Sequence, residues 1–446
     1  MSSVQIDEPP LLDPPQSLRP NHLDTYRANR ARLYPDVTDE QWNDWKLQQK
    51  NRITTLEEIA SLFAFDEVTS ARLGDLFELY RTAITPYYLC LIDFDNPLDP
   101  LRAQSVPTAD ELLNPGELTW DPLNEEGDSP VTGIVHRYPD RCLFLVTSYC
   151  PLYCRYCTRK RKWVDEDGTT GQRRIELMIE YVAAHPEIRD VIVSGGDPLS
   201  LSINYLEKIL AGLRAIPHVE IIRFGSRVPV FLPQRIDEEM CAMLEKYHPV
   251  WINTHFNHPS EITPESAKAC DRLLRAGIPV NNQAVLLRGV NDCPYIMRDL
   301  VQGLMKIRVR PYYLYLCDQV MGAEHFRTSV GEGLEIMEFL RGHTSGLAVP
   351  QFVMDAPGGG GKIPLMPNYI IANYGDSVVY RNFEGVIGRW DDVPSGNHEC
   401  DRCEDREHTH ERGIAKLLNR TADRFEPEAV RDTPAAINIK KKRGVK

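Results

Sequence analysis

The sequence predicts an α/β fold built on an incomplete (β/α)6 barrel. Short apolar runs suited to buried parallel strands recur through the middle of the chain, and segments of helical periodicity separate them. The predicted strands begin at Leu143, Asp190, Val219, Val250, Val280 and Tyr312. The predicted helices lie near 173–185, 203–215, 236–247, 264–276 and 295–306. Six strands are too few for the closed eightfold barrel, so we expect a partial, TIM-like barrel.

Segments of different composition flank this core. Capping residues in the segments that begin at Thr38 and at Thr54-Thr55 predict helix starts in the N-terminal part of the chain. A helix near 330–341 and three strand-like runs follow the barrel. The predicted regions are a disordered proline-rich lead (1–21), an N-terminal helical region (22–135), the barrel core (136–326), a β-rich region with a glycine–lysine loop (327–395) and a Cys- and His-containing tail (396–446).

The composition narrows the class of protein. The formal net charge of −13 over 446 residues argues against nucleic acid as a partner. No run approaches the about 18 apolar residues of a membrane span, and the N-terminus has acids and prolines where a signal peptide has a basic start. We therefore expect a cytoplasmic protein that does not bind membranes. In such a protein the eleven cysteines favour metal binding over disulfides.

Three cysteines, Cys150, Cys154 and Cys157, share one loop directly after the first barrel strand. Three thiolates can hold three irons of a 4Fe–4S cluster and leave the fourth iron open to a small molecule. A structural zinc site needs four ligands, and no local fourth is evident. The carboxyl end of a barrel strand is also where barrel enzymes place their chemistry. The loop therefore predicts a catalytic cluster more than zinc or an electron-transfer protein.

The spacing CxxxCxxC, with an aromatic residue before the last cysteine, resembles the signature of the radical S-adenosylmethionine superfamily. The resemblance implies that the open iron binds S-adenosylmethionine, and that an electron from the cluster cleaves it to a 5′-deoxyadenosyl radical. Gly195, Gly196 and Asp197 resemble the loop that contacts this cofactor, and glycine permits close backbone approach. Arg227 and His255, near the ends of the next two strands, are further candidate contacts.

Lys362 follows four glycines, at 358–361. A phosphate-binding P-loop would need Ser or Thr at 363, where Ile stands, and prolines at 364 and 367 prevent the helix that follows such a loop. A lysine on a flexible loop instead suits a Schiff-base lysine that holds pyridoxal phosphate. An exposed turn lysine is the ordinary alternative for an isolated GGGGK.

Longer runs favour the Schiff-base interpretation. HRYPDR, PYYLYLCDQVMGAEHFRT, RGHTSG, DAPGGGGKIPLMPNY and RNFEGV are similar to the lysine 2,3-aminomutase family, and the likeness extends from about 50 to about 425. It implies that Lys362 binds pyridoxal phosphate, that Arg137 and Arg141 bind its phosphate, and that Tyr138 packs near its ring. Several cations around one loop of an acidic protein favour anion binding over surface salt bridges.

The same resemblance assigns the substrate contacts. Arg159 would pair with the substrate carboxylate, while Asp318 and Asp355 would hold the distal ammonium of lysine. Two carboxylates in one partly buried pocket call for a cation between them. The expected reaction interconverts L-lysine and β-lysine and needs an electron donor for the cluster. Arginine or another amino acid stays open as substrate, whereas an electron-transfer protein or a conventional transaminase would not explain both the cysteine loop and Lys362.

The tail has metal-ligand spacing at His398, Cys400 and Cys403. In the lysine 2,3-aminomutase family, three tail cysteines and one cysteine of a neighbouring subunit bind zinc. Cys293 matches the position of the cysteine from the neighbouring subunit. Here His398 replaces the first cysteine of the trio, and imidazole and thiolate both bind zinc. The resemblance therefore implies a zinc site and a homo-oligomer. His408 or His410 as ligand, or a metal-free tail, are the alternatives.

Overall fold

A nine-stranded sheet forms the centre of the fold. The computed structural model describes residues 22–116, 118–163, 168–374 and 376–393. The strands, in spatial as well as chain order, are β1 (Ile134–Tyr138), β2 (Arg141–Thr147), β3 (Asp190–Gly195), β4 (Ile221–Gly225), β5 (Val250–Thr254), β6 (Val280–Leu286), β7 (Arg310–Leu316), β8 (Gln351–Ala356) and β9 (Gly361–Pro364).

The six predicted strands are β2 to β7, and they pair in parallel in chain order. Their apolar side chains are buried because helices cover the outside of the sheet, as the near-continuous apolar runs indicate. In the described strands β1 and β9 form the two edges and do not pair with each other. The prediction of a partial barrel is therefore confirmed.

Three strands were not predicted. β8 extends the sheet as a seventh parallel strand, and β1 and β9 add antiparallel edges. The two edge strands carry few buried side chains and no run of apolar residues, so periodicity could not reveal them. The β8–β9 pairing matters for function because it places Asp355 directly opposite Lys362.

Short helices precede the barrel. They are α1 (His22–Leu33), α2 (Asp39–Trp42), α3 (Trp45–Lys50), α4 (Leu56–Leu62), α5 (Glu67–Leu79), α6 (Pro86–Leu91) and α7 (Pro100–Ser105). Thr38 and Thr55 cap α2 and α4 in capping boxes, as predicted, since each side chain accepts a hydrogen bond from the third residue of its helix. The helices shield one side of the cysteine loop: the backbone amide of Tyr153 donates to the Ala83 carbonyl, and that of Arg155 donates to the Gln104 carbonyl.

The helices that cover the barrel follow the predicted spacing, except that the short α10 was not predicted. They are α8 (Gln172–Ala183), α9 (Ile203–Arg214), α10 (Val228–Phe231), α11 (Glu238–Glu245), α12 (Pro264–Arg275), α13 (Pro294–Lys306) and α14 (Val330–Leu340). In α9 the side chains of Leu206, Ile209, Leu210 and Leu213 are buried. Burying one such side chain contributes about 1.5–3 kcal/mol, so these apolar faces hold the helices on the sheet.

A separate antiparallel sheet follows the barrel, with strands β10 (Ile370–Asn373), β11 (Ser377–Arg381) and β12 (Ile387–Asp391). Its apolar side chains Ile371, Ile387 and Trp390 are more than half exposed. The predicted lead 1–21 and tail 396–446 lie outside the described residues. Among the described helices, none combines the length and apolar character that crossing a bilayer requires.

Candidate active site

Two adjoining cavities, of about 330 and 500 Å³, open at the carboxyl ends of the barrel strands. The cysteine loop lines the first, and Arg137, Tyr138 and Arg141 line the second. Residues common to both walls include Arg159, Asp355 and Lys362. The predicted cluster, cofactor and substrate residues thus face one continuous space.

Cys150, Cys154 and Cys157 all line the first cavity, and their side chains are half-buried. The nine cysteines within the described ranges are all free. The Arg227 guanidinium donates to the Cys154 sulfur over 2.9 Å, and the backbone amide of Arg159 donates to the Cys157 sulfur over 3.4 Å. These two donors orient the sulfurs on the cavity wall, while burial, followed by the charge of Cys154, raises the pKa of the Cys157 thiol to about 11.

No group of three or more His, Cys, Asp or Glu side chains in the described residues converges on a single metal-ion position. A mononuclear site such as zinc needs its ligands to meet at one point. A four-iron cluster is different, because each cysteine binds a different iron and the three sulfurs need not meet at one point. Three free thiols around one cavity therefore fit the predicted 4Fe–4S cluster.

Gly195 ends β3, and Gly196 follows it, directly against the start of the cysteine loop. A Cβ atom on Gly195 would lie 2.3 Å from the Thr147 carbonyl oxygen, and one on Gly196 would lie 2.2 Å from that of Tyr149. Gly195 also has a φ of +118°, a conformation that favours glycine. Only glycine lets the two loops approach this closely, so the pair shapes the cavity floor next to the cysteines.

Arg227 and His255 line the same cavity. Arg227 also donates to Glu261 over 2.5 Å, which fixes the guanidinium against Cys154. Burial, followed by the nearby charge of Arg227, lowers the pKa of His255 to about 3, so its ring is neutral. Its buried Nε2 has no hydrogen-bond partner in the described structure. This neutral ring fits the predicted contact with a polar cofactor.

Asp197 has a different environment from its two glycine neighbours. Its buried carboxylate accepts hydrogen bonds from the Ser226 hydroxyl over 2.6 Å and from the Arg227 amide over 2.7 Å. Its side chain is not among those lining the cavities. Asp197 thus joins the loops after β3 and β4, and a direct contact with S-adenosylmethionine stays a prediction.

Lys362 reaches the cavity from β9. Its Nζ donates to the Asp355 carboxylate over 3.0 Å and lies 5.1 Å from the centre of the Tyr315 ring. Its backbone amide donates to the Tyr138 hydroxyl over 2.9 Å. Lys362 is therefore held next to Tyr138, predicted to contact the cofactor, and Asp355, predicted to contact the substrate. The sequence alone could not specify this arrangement.

Arg137 and Arg141 line the second cavity beside Lys362. The buried Nε of Arg137 lies 3.8 Å from the Asp128 carboxylate and makes no hydrogen bond in the described structure. The Arg141 guanidinium lies 4.1 Å above the centre of the Tyr138 ring. The two arginines, with the Nε of Arg137 free of hydrogen bonds within the described residues, fit the phosphate end of pyridoxal phosphate, and the nearby Lys362 amine fits its carbonyl end.

Arg159 lines both cavities and forms a buried ion pair that the sequence did not predict. Its Nη2 donates to Glu125 over 2.7 Å, and its Nε donates to the same carboxylate over 3.0 Å. Glu125 also accepts from Arg161 over 2.7 Å. Burial alone would raise the pKa of the Glu125 carboxyl, but the two arginines lower it to about 2. We call Glu125, Arg159 and Arg161 the Glu125 cluster.

A second buried glutamate binds the other cations of this segment. Glu111 accepts from Arg155 over 2.6 Å and from Lys160 over 2.7 Å, and all three side chains are at most 1% exposed. We call these residues the Glu111 cluster. The cations Arg155, Lys160 and Arg161, within or just after the cysteine loop, thus have internal glutamate partners. No spacing signal could have identified the two glutamates, because they lie in loop-rich segments far from the cysteines in sequence.

Asp318 follows β7 and lines the first cavity. The Thr158 hydroxyl donates to its carboxylate over 2.6 Å. Burial raises the pKa of Asp318 to about 6, and the charge of Asp355 adds to this rise, against the hydrogen bond from Thr158. In the part of the chain that the structure describes, Asp318 has no Lys or Arg at ion-pair distance.

The predicted zinc ligands are divided between the described residues and the tail. His398, Cys400 and Cys403 lie outside the described residues. Cys293 is a free, half-buried thiol at the start of α13. The tail site therefore stays a prediction.

Comparison with known proteins agrees with this geometry. The model of the Radical SAM superfamily matches residues 144–300, and the model described as Lysine-2,3-aminomutase matches residues 337–444. The fold and the cysteine loop thus define a member of the radical S-adenosylmethionine superfamily.

Its relatives are more specific. Over 402 residues the chain is 53% identical to the L-lysine 2,3-aminomutase of Clostridium subterminale, covering 89% of this chain and 96% of that protein. It is 51% identical over 355 residues to that of Bacillus subtilis, covering 80% and 75%. It is also 47% identical over 358 residues to the glutamate 2,3-aminomutase of Clostridioides difficile, covering 80% and 85%. The chain belongs to the lysine 2,3-aminomutase family.

Proposed function

We propose that the protein is an isomerase that interconverts L-lysine and β-lysine by moving the amino group between carbons 2 and 3. One observation carries the proposal: the three cysteines, Lys362, Arg159 and the aspartates Asp318 and Asp355 line adjoining cavities at the functional end of the barrel. Because relatives include both lysine and glutamate 2,3-aminomutases, the chemistry of the site has to decide the substrate.

The cofactors follow from the fit of the residues. Cys150, Cys154 and Cys157 would hold a 4Fe–4S cluster with S-adenosylmethionine, and Lys362 with Arg137 would hold pyridoxal phosphate. When bound, the cluster and S-adenosylmethionine would supply a carbon radical that removes hydrogen, and pyridoxal phosphate would supply a carbonyl that carries the amino group. An external electron donor must reduce the cluster.

The protein's own groups orient the substrate between these centres. Arg159 presents a guanidinium for the carboxylate, and Asp318 with Asp355 presents negative charge for the distal ammonium. Asp355 also accepts a hydrogen bond from the Lys362 Nζ over 3.0 Å in the described structure. A substrate ammonium would compete for this carboxylate and help to release Lys362. Fixed ends keep the reacting carbons in one position, which is the main contribution of such a site.

A glutamate side chain would place a carboxylate beside Asp318 and Asp355, and like charges in a partly buried pocket repel. We therefore expect lysine to be preferred over glutamate by at least about a hundredfold in kcat/KM, which corresponds to roughly 3 kcal/mol. Anaerobic incubation of the reconstituted protein with lysine, arginine and glutamate in parallel, followed by mass spectrometry of derivatised products, tests this. A β-isomer of arginine or glutamate without β-lysine would contradict the proposed substrate.

We propose further that the protein is a cytoplasmic homo-oligomer with zinc bound by His398, Cys400 and Cys403 of one copy and Cys293 of another. The free thiols support a reducing compartment. The exposed apolar face of the β10–β12 sheet supports association between copies. Zinc content and molecular mass of the wild type and of Cys293→Ser test this, since the proposal requires the variant to lose zinc.

A further inference from the structure

We propose that Glu125 is a positioning residue for the substrate: it fixes Arg159 in the orientation that receives the amino-acid carboxylate. Glu125 lies in a segment that we call the strap (residues 119–128), which also holds the glycine loop of Lys362. This inference rests on the proposed function and deepens it. It concerns the contact that recognises the α-carboxylate, which every amino acid carries.

The contacts of Glu125 restrict Arg159 to one orientation. The carboxylate is 7% exposed and accepts hydrogen bonds from the Nε and Nη2 of Arg159 and from the Nη2 of Arg161. An ionised carboxylate between two guanidiniums forms charge-assisted, planar hydrogen bonds, which restrict rotation as well as position. The side chain of Arg159 therefore cannot swing without breaking a buried ion pair.

The remaining edge of Arg159 is available to a ligand. Its side chain is 24% exposed and lines both cavities. Glu125 uses the Nε–Nη2 edge, and no acceptor in the described residues is bonded to Nη1. A substrate carboxylate can therefore bind at the Nη1 side without displacing Glu125. In that arrangement Glu125 supports the contact and does not compete with the substrate.

The strap ties this arginine to the other parts of the site. At one end, Thr119 pairs with the loop after Asp318: its amide donates to the Gln319 carbonyl over 3.2 Å. In the middle, the Pro122 carbonyl accepts from the amide of Gly358, in the loop that precedes Lys362, over 2.8 Å. At the other end, the Asp128 carboxylate lies 3.8 Å from Arg137. One short segment thus contacts the residues predicted to bind both ends of the substrate and the cofactor.

A purely structural role for Glu125 would predict a different outcome. If the ion pair only stabilised the fold, its loss would lower stability and reduce activity on every amino acid ligand equally. A positioning role predicts a loss that depends on the ligand carboxylate. Lysinamide, which has both amines of lysine and no carboxylate, separates the two cases.

The experiment measures lysine and lysinamide with the wild type, Glu125→Gln and Glu125→Asp, all loaded with cluster and pyridoxal phosphate. Equilibrium binding of each ligand is measured by calorimetry without reductant, and turnover of lysine is measured with reductant and S-adenosylmethionine. We expect Glu125→Gln to weaken lysine binding and raise KM by roughly ten- to a hundredfold. Losing a hydrogen bond to a charged group changes an equilibrium constant by about this factor. Lysinamide binding should change less than threefold, and Glu125→Asp should recover part of the lysine affinity.

Glu126→Gln is the matched control, since Glu126 is adjacent and its side chain is 67% exposed, 3.5 Å from Arg161. It should bind lysine as the wild type does. Unchanged or tighter lysine binding in Glu125→Gln, or an equal loss for lysine and lysinamide, overturns the positioning role. A wild type that binds lysine but forms no β-lysine would instead contradict the proposed function, so the two failures are distinguishable.

Discussion

The Glu111 cluster and the Glu125 cluster use the same chemistry for different ends. In each, a buried glutamate binds two cations from the segment 155–161, and in each those cations lower the pKa of the glutamate to about 2. The Glu111 cluster is closed, because Lys160 also donates to the Gly322 carbonyl and Arg155 to that of Arg81. The Glu125 cluster is open on one side, since Arg159 lines the cavities. The closed cluster fixes the segment between the cysteines, whereas the open cluster leaves the Arg159 guanidinium on the cavity wall.

Asp318 completes the comparison as a buried carboxylate without an ion-pair partner in the described residues. Its pKa is raised to about 6, in contrast to the value of about 2 for the two paired glutamates. Burying a carboxylate is unfavourable unless it is paired, and the charge of Lys362, which lies beyond ion-pair distance, only partly offsets the burial of Asp318. The distal ammonium of lysine has the required charge.

The largest expected effect is on stability, from Glu111→Gln. This variant would leave Arg155 and Lys160 buried beside a neutral amide. Breaking a buried ion pair by removing one partner costs about 3–5 kcal/mol, so the free energy of unfolding by urea should fall by this amount. The iron content of the purified protein should fall with the stability, because the Glu111 cluster fixes Arg155, which lies between Cys154 and Cys157.

Glu126→Gln serves here too as the control and should change the free energy of unfolding by less than about 0.5 kcal/mol. If Glu111→Gln were as stable as the wild type, the Glu111 cluster would not have the structural role that distinguishes it from the Glu125 cluster.

An intermediate effect concerns pH and lysine binding. Because the pKa of Asp318 is raised to about 6, lowering the pH from 7 to 5 protonates it and removes its attraction for an ammonium group. We expect the KM for lysine to rise as the pH falls through this range, by up to about tenfold per pH unit below the pKa. The two glutamates, with pKa values of about 2, stay ionised throughout.

Asp318→Asn should bind lysine more weakly at pH 7 and lose this pH dependence, as measured by calorimetry. A wild-type KM that stays constant from pH 7 to pH 5 would count against Asp318 as the ammonium ligand.

The smallest expected effect comes from Thr158→Val, which removes the hydroxyl that donates to Asp318 over 2.6 Å. Losing one such hydrogen bond costs about 1–1.5 kcal/mol, so the KM for lysine should rise roughly five- to tenfold. Thr158→Ser keeps the hydroxyl and should retain most of the affinity. Equal KM values for the Val and Ser variants would show that the hydroxyl does not orient Asp318.

The regular parts of the fold could be predicted because they depend on local periodicity. The strands β2 to β7, the barrel helices and the caps at Thr38 and Thr55 follow from apolar spacing and capping residues. The edge strands β1 and β9 could not be predicted, since β1 is only partly buried, β9 is mostly exposed and neither contains a long apolar run. Tertiary pairing, not propensity, forms them.

The site divides in the same way. Cys150, Cys154, Cys157 and Lys362 stand in recognisable motifs, so sequence identified them as candidates, and the structure places all four on adjoining cavities. Glu111 and Glu125 stand in no motif, and their roles depend on contacts with residues more than thirty positions away. Residues that touch a cofactor are constrained by chemistry that the sequence reveals, while residues that support them are constrained by the folded geometry.

The central claim is that two cofactor centres in one continuous space act on one lysine. The most direct measurement is β-lysine formation by the wild type, Cys154→Ala and Lys362→Ala under anaerobic, reducing conditions. We predict β-lysine from the wild type only, with Cys154→Ala still binding pyridoxal phosphate and Lys362→Ala still holding iron. Continued β-lysine formation by either variant would contradict the claim.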